Sequence, residues 1–368
     1  MCCSTPAMRR CGLRWPRIIG PAGPRSIVNS SSRSIFQVTH LPLRHSHQPR
    51  KPEMTQRTFS PGRNDLVFSS QDHALAGHLY LPGDFDPAKP LPAVVFSGPF
   101  NQIKEQTGAV YGRALARRGY SVLVFDHLGY GESEGGVRNN EHSFIKMEGI
   151  RDAISFTCAL PFVDRSRVFG LGVCASGGYM ALVATTDKRL NAVATVCGMM
   201  SNKASYFETL DRETVTALIA GANAARQKYY ETGEIDYVDA LGFESLDLTS
   251  LAPNSAQAEG YDYYMTPRAG AETYPGYSHM SPGFMLEAPM LADAMTYAPY
   301  LYTPYLGIYG ELAMADTGPL TVGYYDAASD PKELCEVPGA SHVSLYDDEA
   351  HVDVAAERMH EFFRKHGG

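Results

Sequence analysis

The first 52 residues hold eight arginines and Lys51 but no acidic residue; the first carboxylate is Glu53. This stretch also lacks an apolar period and lacks the 7–15-residue hydrophobic core of a secretory signal. It contains the only tryptophan, Trp15. Further on, no run of about 18 apolar residues occurs, which excludes an α-helical membrane span. No internal repeat occurs, which excludes a solenoid. The seven cysteines, Cys2, Cys3, Cys11, Cys158, Cys174, Cys197 and Cys335, include no C-x-x-C and no zinc spacing. Scattered thiols of this kind suit a reducing compartment and stay unpaired. Positive charge is also scarce beyond the leader. Against a whole-chain charge of −8, the leader's +9 leaves −17 on residues 53–368. An acidic body is a poor partner for nucleic acid, which needs a basic face. For residues 1–53 three readings stand: a disordered tail, an Arg- and Ser-rich mitochondrial transit peptide, or sequence upstream of a start at Met54. A cytoplasmic location is expected, or a mitochondrial one if the leader works as a transit peptide.

What is present, from about Asn64, is alternation. "DLVFSS" (65–70) and "LAGHLYLP" (75–82) read as a leading hairpin. "LPAVVFSG" (91–98), "SVLVFDHLG" (121–129), "SRVFGLGV" (166–173), "NAVATVCG" (191–198), "TPYLGIYG" (303–310) and "PKELCEVPG" (331–339) read as strands. Helical patterns separate them at 107–120, at 143–160, from near Gly178, and at the C-terminal end. Strands alternating with helices predict right-handed crossovers and a mostly parallel, doubly wound sheet with helices on both faces. Residues 199–302 break the rhythm with a helical stretch, "RETVTALIAGANAARQKYYETG", and then loops crowded with Tyr, Pro and Met. The expected organisation is a leader (1–53), a core (54–198 and 303–368) and a cap or lid (199–302). Tyrosines 261, 263, 264, 274, 277, 297, 300, 302 and 305 either line an apolar acyl pocket or pack the cap onto the sheet.

In such sheets chemistry gathers at the carboxyl ends of the strands. "GLGVCASGG" (170–178) lies between a strand and a helix, where a G-x-S-x-G turn would place a serine nucleophile. The central position here is Cys174, with the small residues Gly172 and Ser176 two places to either side. A register centred on Ser176, flanked by Cys174 and Gly178, is sterically possible too. Because the strand ends at Val173, Cys174 is the expected nucleophile and Ser176 the alternative. A helix N-terminus favours the thiolate. Gly177 and Gly178 are expected where the helix packs closely.

The base is expected to be His342, in the loop "VPGASHVSLYD" after the last strand. His127, His142 and His279 are its rivals. The orienting acid should follow "TPYLGIYG", where "GELAMADT" offers Asp316 and, as alternative, Glu311. Nucleophile, acid and histidine then stand in the chain order of an α/β hydrolase. The oxyanion donors expected are the N–H groups of Ala175 and Phe100, since Pro99 has none.

The segments "VVFSGPFNQIKEQ", "FDHLGYGESEG" (125–135), "GVCASGG", "YDYYMTPR" (261–268) and "VPGASHVSLYD" resemble those of a YcjY-like group of α/β hydrolases. This group is related to dienelactone hydrolase and similar to fungal polyketide transferases and thiohydrolases. The resemblance runs from about residue 60 to the C-terminal end and implies the α/β-hydrolase fold. It places a Cys-Asp-His triad on Cys174, Asp316 and His342. It also implies a Lys-Glu-Gln segment near the active face, here Lys104, Glu105 and Gln106, for which a structural ion pair is the plain reading. One departure stands out: the usual His-Pro before the oxyanion loop is Gly98-Pro99 here. The expected activity is cleavage of a small-molecule ester, lactone or thioester through an acyl-enzyme, with no cofactor or metal. Acyl transfer by the same intermediate, and ligand binding on a disabled scaffold, are the alternatives.

Overall fold

The computed structural model describes residues 58–252, 255–315 and 317–367. The readings of the leader and of a Met54 start lie outside them, and so does Asp316.

β-Branched and aromatic runs form one eight-stranded sheet. Its strands are β1 (Gly62–Ser70), β2 (His73–Leu81), β3 (Leu91–Ser97), β4 (Ser121–Phe125), β5 (Val163–Val173), β6 (Ala192–Val196), then, after a long excursion, two more. Within that excursion β7 (Tyr237–Asp239) and β8 (Met280–Pro282) pair as a separate antiparallel ribbon. β9 (Tyr305–Gly310) and β10 (Lys332–Val337) complete the sheet. The strand order is β1-β2-β4-β3-β5-β6-β9-β10. β1 and β2 form the expected hairpin, β2 meets β4 antiparallel, and all pairs from β4 to β10 are parallel.

The central strands are buried along their length, as a sheet covered on both faces requires. Among the described residues eight α-helices accompany them: α1 (Thr107–Ala116), α2 (Ser143–Ala159), α3 (Ala175–Thr186), α4 (Arg212–Thr232), α5 (Ala256–Met265), α6 (Gly318–Ala327), α7 (Ser344–Asp347) and α8 (Glu349–His366). Local chemistry fixes their ends. Asp211 accepts the Thr214 N–H to start α4, and Gly233, at φ 75°, stops it. Asp348 accepts the Ala350 and His351 N–H groups to start α8. One apolar core packs around Tyr111 of α1 and Phe362 and Phe363 of α8. The other packs around Ile150 of α2, Met180 of α3 and Tyr324 of α6. The helix expected from near Gly178 begins three residues earlier, at Ala175, and the β4 strand stops at Phe125 instead of continuing to Gly129.

Two buried ion pairs shape the loops at the carboxyl ends of β3 and β4. Lys104 Nζ meets Asp126 Oδ2 at 2.8 Å, with side-chain exposures of 2% and 0%. Asp126 Oδ1 also accepts the Lys104 N–H at 2.7 Å, and its Oδ2 accepts the Glu132 N–H at 3.0 Å. Gly131 passes so close that a Cβ there would stand 2.3 Å from the carboxylate. Glu105 and Glu132 complete the shell around Lys104, each at 2.7 Å. Gln106 accepts the Ile103 N–H at 2.9 Å and donates to the Ala269 carbonyl at 2.7 Å. The Lys-Glu-Gln segment is therefore scaffolding: it braces the loop after β3 against β4 and against the chain beyond α5. The second pair, Lys146 and Glu141 at 2.6 Å, braces the same loop through Glu141 and the Asn101 N–H at 3.4 Å.

Removing one partner of such a pair strands a buried charge. Lys104→Met should lower unfolding stability by about 3–5 kcal/mol, read as a shift in the urea midpoint at unchanged slope.

Candidate active site

β5 ends at Val173, and the chain turns into α3 through a single residue in a sparsely populated backbone region. Cys174 lies at φ 53°, ψ −119°. A non-glycine residue holds such a conformation only where its surroundings enforce it. The enforcing bonds are on both sides of Cys174. Its N–H donates to the Val196 carbonyl at 3.0 Å, and its carbonyl accepts the Met199 N–H at 2.8 Å and the Gly177 N–H at 2.9 Å. Sharpness of the turn demands small neighbours: a Cβ on Gly172 would lie 2.2 Å from the Ser176 carbonyl oxygen. The expected close packing at Gly177 and Gly178 is against the chain after β6, where added Cβ atoms would lie 2.6 Å from Gly198 Cα and 2.5 Å from the Met199 oxygen.

Ser176 occupies the first turn of α3, fully buried, and accepts a hydrogen bond from Ser97 at 2.8 Å. Ser97 also meets His127 Nε2 at 2.8 Å. Burial drives His127 well below the ordinary histidine pKa, with Lys146 adding to the effect, so its ring is neutral. Ser176 and His127 thus belong to a sealed polar link between strand ends. The other rivals are occupied as well. His142 caps α2, and His279 pairs with Glu244 at 3.1 Å.

His342, just before α7, comes to Cys174. Burial pushes the Cys174 thiol up, but the His342 ring, the Tyr346 hydroxyl and the Ala175 N–H outweigh it. The net shift is downward from the usual thiol range. His342 Nδ1 is 2.8 Å from Thr317 Oγ1, and Nε2 is 2.7 Å from Tyr346 Oη. Thr317, the residue after the acid expected at 316, is thus the one described residue of that stretch shown at Nδ1. Glu311 has a different task. Its carboxylate accepts the Gly339 N–H at 2.8 Å, tying the turn after β9 to the loop that carries His342. Phe100 is half-buried on the loop after β3, and no described residue accepts its N–H. The adjoining Asn101, at φ 56°, donates to Ser281 at 2.8 Å and to the His279 carbonyl at 3.3 Å, which locks that loop against β8.

Aromatic side chains from α5 close over these groups. The Tyr263 ring meets the Tyr346 ring edge-on at 5.3 Å, and Tyr264 stacks on Tyr277 at 5.7 Å. Tyr264 lies close enough to feel the Cys174 charge. Among the candidate pocket tyrosines, 263, 264, 277 and 305 are buried, whereas 297, 300 and 302 are exposed. Asp239, Glu244 and His279 could bring three ligand atoms within 4.8 Å of one another. Asp239 is already engaged by the Leu241 and Glu244 N–H groups, at 3.2 and 2.7 Å. These contacts account for the cluster as a turn.

YcjY of Escherichia coli strain K12 is 32% identical over 313 residues, which cover 82% of this chain and 98% of YcjY. PA2218 of Pseudomonas aeruginosa is 34% identical over 79% of this chain and 77% of that protein. The chain belongs to the YcjY-like group of α/β hydrolases. Its fold matches the crystal structure of PA2218 with a TM-score of 0.70 over 87% of this chain and 98% of that structure, at 29% identity. The polyketide transferase grgF of a Penicillium species is 22% identical over 83% of this chain and 97% of its own. The crystal structure of GrgF gives a TM-score of 0.67 over 83% of this chain and 98% of that one, at 20% identity, a likeness of fold. The family model for X-Pro dipeptidyl-peptidase (S15 family) matches residues 73–210. That span holds the turn at Cys174 but stops before Thr317 and His342. The YcjY-like chain is accordingly an enzyme of the hydrolase class. No helix among its described residues is long and apolar enough to cross a membrane.

Two features of this YcjY-like site escaped the sequence reading: Thr317 against Nδ1 and Tyr346 against Nε2. For Tyr346 a signal existed, since it stands four residues after His342, a spacing that brings side chains together on a helical turn.

Burial, helped by nearby carboxylates, pushes the Cys158 and Cys335 thiols up, opposite to the net shift at Cys174. Cys174 should therefore alkylate with iodoacetamide at lower pH than either, with a midpoint below the ordinary thiol value of about 8.5. Peptide mapping by mass spectrometry across the pH range measures all three at once.

Proposed function

We propose that the chain cleaves small-molecule esters, lactones or thioesters through an acyl-enzyme on Cys174. One observation carries this reading: Cys174 is held at φ 53°, ψ −119° at the strand-to-helix turn, with its thiol against His342. Strain of this kind is kept where it serves to present a side chain. In the proposed reaction His342 accepts the thiol proton and Cys174 attacks the acyl carbon. The N–H groups of Ala175 and Phe100 receive the developing oxyanion, worth about 3 kcal/mol per donor. His342 protonates the leaving group and then activates water to release the acid. Asp316 takes the orienting role in this reading, which chain order and the contact of the next residue, Thr317, with Nδ1 support. Residues 199–302 serve as the cap, with Tyr263 and Tyr264 of α5 forming the wall above the thiol.

A sulfur nucleophile fits activated acyl groups best. Attack on a thioester exchanges one thiolate for another, so collapse of the intermediate is nearly balanced in either direction. An amide nitrogen is a far poorer leaving group and needs full protonation. Acyl transfer to an alcohol or amine is the second reading, supported by the likeness to a polyketide transferase over 97% of its length.

The test is intact-mass analysis of protein mixed with acyl thioesters and aryl esters of graded length and quenched in acid within seconds. An acyl adduct should map to the peptide holding Cys174. Cys174→Ala should lose the adduct and at least about 10³-fold in turnover, whereas Ser176→Ala should keep both. Asp316→Asn should reduce kcat by about 10³- to 10⁴-fold, while Glu311→Gln stays close to the unaltered protein. Full turnover in Cys174→Ala would overturn the proposal. Added alcohols that divert the product from acid to ester would favour transfer.

A further inference from the structure

We infer that Arg268 is a positioning residue, which fixes α7, and through Tyr346 the imidazole of His342, against α5. The inference rests on the reading of His342 as the base for Cys174. The segments "YDYYMTPR" and "VPGASHVSLYD" meet here through their charged ends, across 79 residues of chain. Arg268 Nε donates to Asp347 Oδ2 at 2.8 Å, and one terminal nitrogen donates to Asp347 Oδ1 at 2.5 Å. The other terminal nitrogen donates to Asp262 Oδ2 at 2.9 Å. The same guanidinium lies over the Tyr263 ring, 5.5 Å from its centre. A fork on one carboxylate, a bond to a second and an aromatic face together use what a guanidinium offers and an ammonium does not. The Arg268 and Asp347 side chains are 30% and 24% exposed, so the pair adds little to global stability. What a bidentate pair supplies is direction.

α7 needs such a tie. It is a single turn of four residues, too short to hold itself. Tyr111 of α1 donates to the Leu345 carbonyl at 2.8 Å, and Arg268 fixes the last residue of the turn, Asp347. His342 is coupled to this turn: its Nε2 lies 2.7 Å from the Tyr346 hydroxyl, and the two rings meet edge-on at 5.3 Å and 73°. Tyr346 also meets the Tyr263 ring edge-on, at 5.3 Å and 76°. Two routes from Arg268, one through Asp347 and one through Tyr263, thus converge on Tyr346 and the imidazole. The anchor is itself held. Thr266 Oγ1 accepts the Arg268 N–H at 3.2 Å and donates to the Asp262 carbonyl at 2.5 Å, while Gln106 donates to the carbonyl of the next residue, Ala269, at 2.7 Å.

Arg268→Gln in the full chain tests the role. The pH midpoint for iodoacetamide labelling of Cys174, which needs no substrate, should rise by about half a unit, roughly a threefold loss of thiolate. Tyr179, Tyr264 and Tyr346, which also feel the thiol's charge, are held well above their ordinary pKa values, so His342 sets that midpoint. With an acyl thioester, kcat should fall about 10- to 100-fold, the loss that a slightly misplaced catalytic group brings, with KM nearly unchanged. A folded Arg268→Gln protein with midpoint and kcat at their original values overturns the inference. A rise in KM alone overturns it too, since Arg268 would then only support the pocket wall. Should Arg268→Gln fail to fold, Asp347→Asn cuts the same contact from the side of α7 and should move both readouts in the same directions; unmoved readouts there overturn the role. Where both fold, the double variant should lose no more than Arg268→Gln alone, because the two changes break one contact, and full additivity overturns the role. Cys174→Ala separates the two layers: turnover surviving in it sinks the acyl-enzyme reading, whereas an inactive Cys174→Ala beside an unaffected Arg268→Gln sinks the positioning role alone.

Discussion

The structure turns on one strained residue. Cys174 carries a positive φ without being glycine, at a cost of order 1–3 kcal/mol. That cost is tolerable because the residue is tied on both sides to the chain leaving β6, through Val196 and Met199. β6 in turn needs β9 beside it, and β9 needs β10, so the turn is held by the parallel half of the sheet as a whole. The small residues of the elbow follow from the same constraint. Without glycine at 172, the start of α3 could not fold back across the end of β5.

The loop after β3, which carries Phe100, depends on buried charge instead of strain. Two lysines that scarcely touch solvent, Lys104 and Lys146, neutralise Asp126 and Glu141. Burying ions is expensive, and apolar replacements are often neutral or stabilising. What such pairs supply here is direction. Asp126 fixes the backbone at Lys104 and Glu132, and Glu141 fixes it at Asn101. A hydrophobic contact of equal strength would leave those N–H groups unpaired and the loop free to slide. This accounts for the Lys-Glu-Gln segment on physical grounds: the loop is anchored downstream of Gly98-Pro99.

The sheet was legible in the sequence because its strands are continuous apolar runs bounded by glycine, proline and charge. "SVLVF" and "NAVATV" admit few other readings. The turn was legible because sterics restrict residues 172 to 178 to a short menu, and the strand end puts Cys174 at the turn and Ser176 in α3. That His342 comes near Cys174 was legible by position. Helices α5 and α6 were not, because "AQAEGYDYYM" and "GPLTVGYYDA" are rich in tyrosine and glycine, which are weak helix formers, and their stability comes from tertiary packing. The ribbon of β7 and β8 was illegible for a different reason: each strand has three residues, and their pairing partners lie about forty residues apart. Thr317 escaped because it meets His342 across the fold, which no sequence period records, whereas the four-residue spacing of Tyr346 from His342 was a signal left unread.

The wall of tyrosines over the site poses an electrostatic problem that the site itself must solve. Burial drives Tyr179, Tyr264 and Tyr346 far above their ordinary pKa values, and the same surroundings oppose a thiolate. A serine there would be indifferent, since its hydroxyl stays protonated until substrate arrives. On the proposed reading a cysteine gains its advantage only as thiolate, so the charge has to be stabilised before an acyl group enters. The imidazolium can do this, but alone it would form a tight dry pair whose mutual attraction holds the sulfur back from the carbonyl. Spreading that attraction over a phenol and the Ala175 N–H keeps the sulfur ionised while leaving it several weaker partners to give up in turn. On the proposed reading, a thiolate in such an apolar wall is suited to acyl groups that need little push to leave.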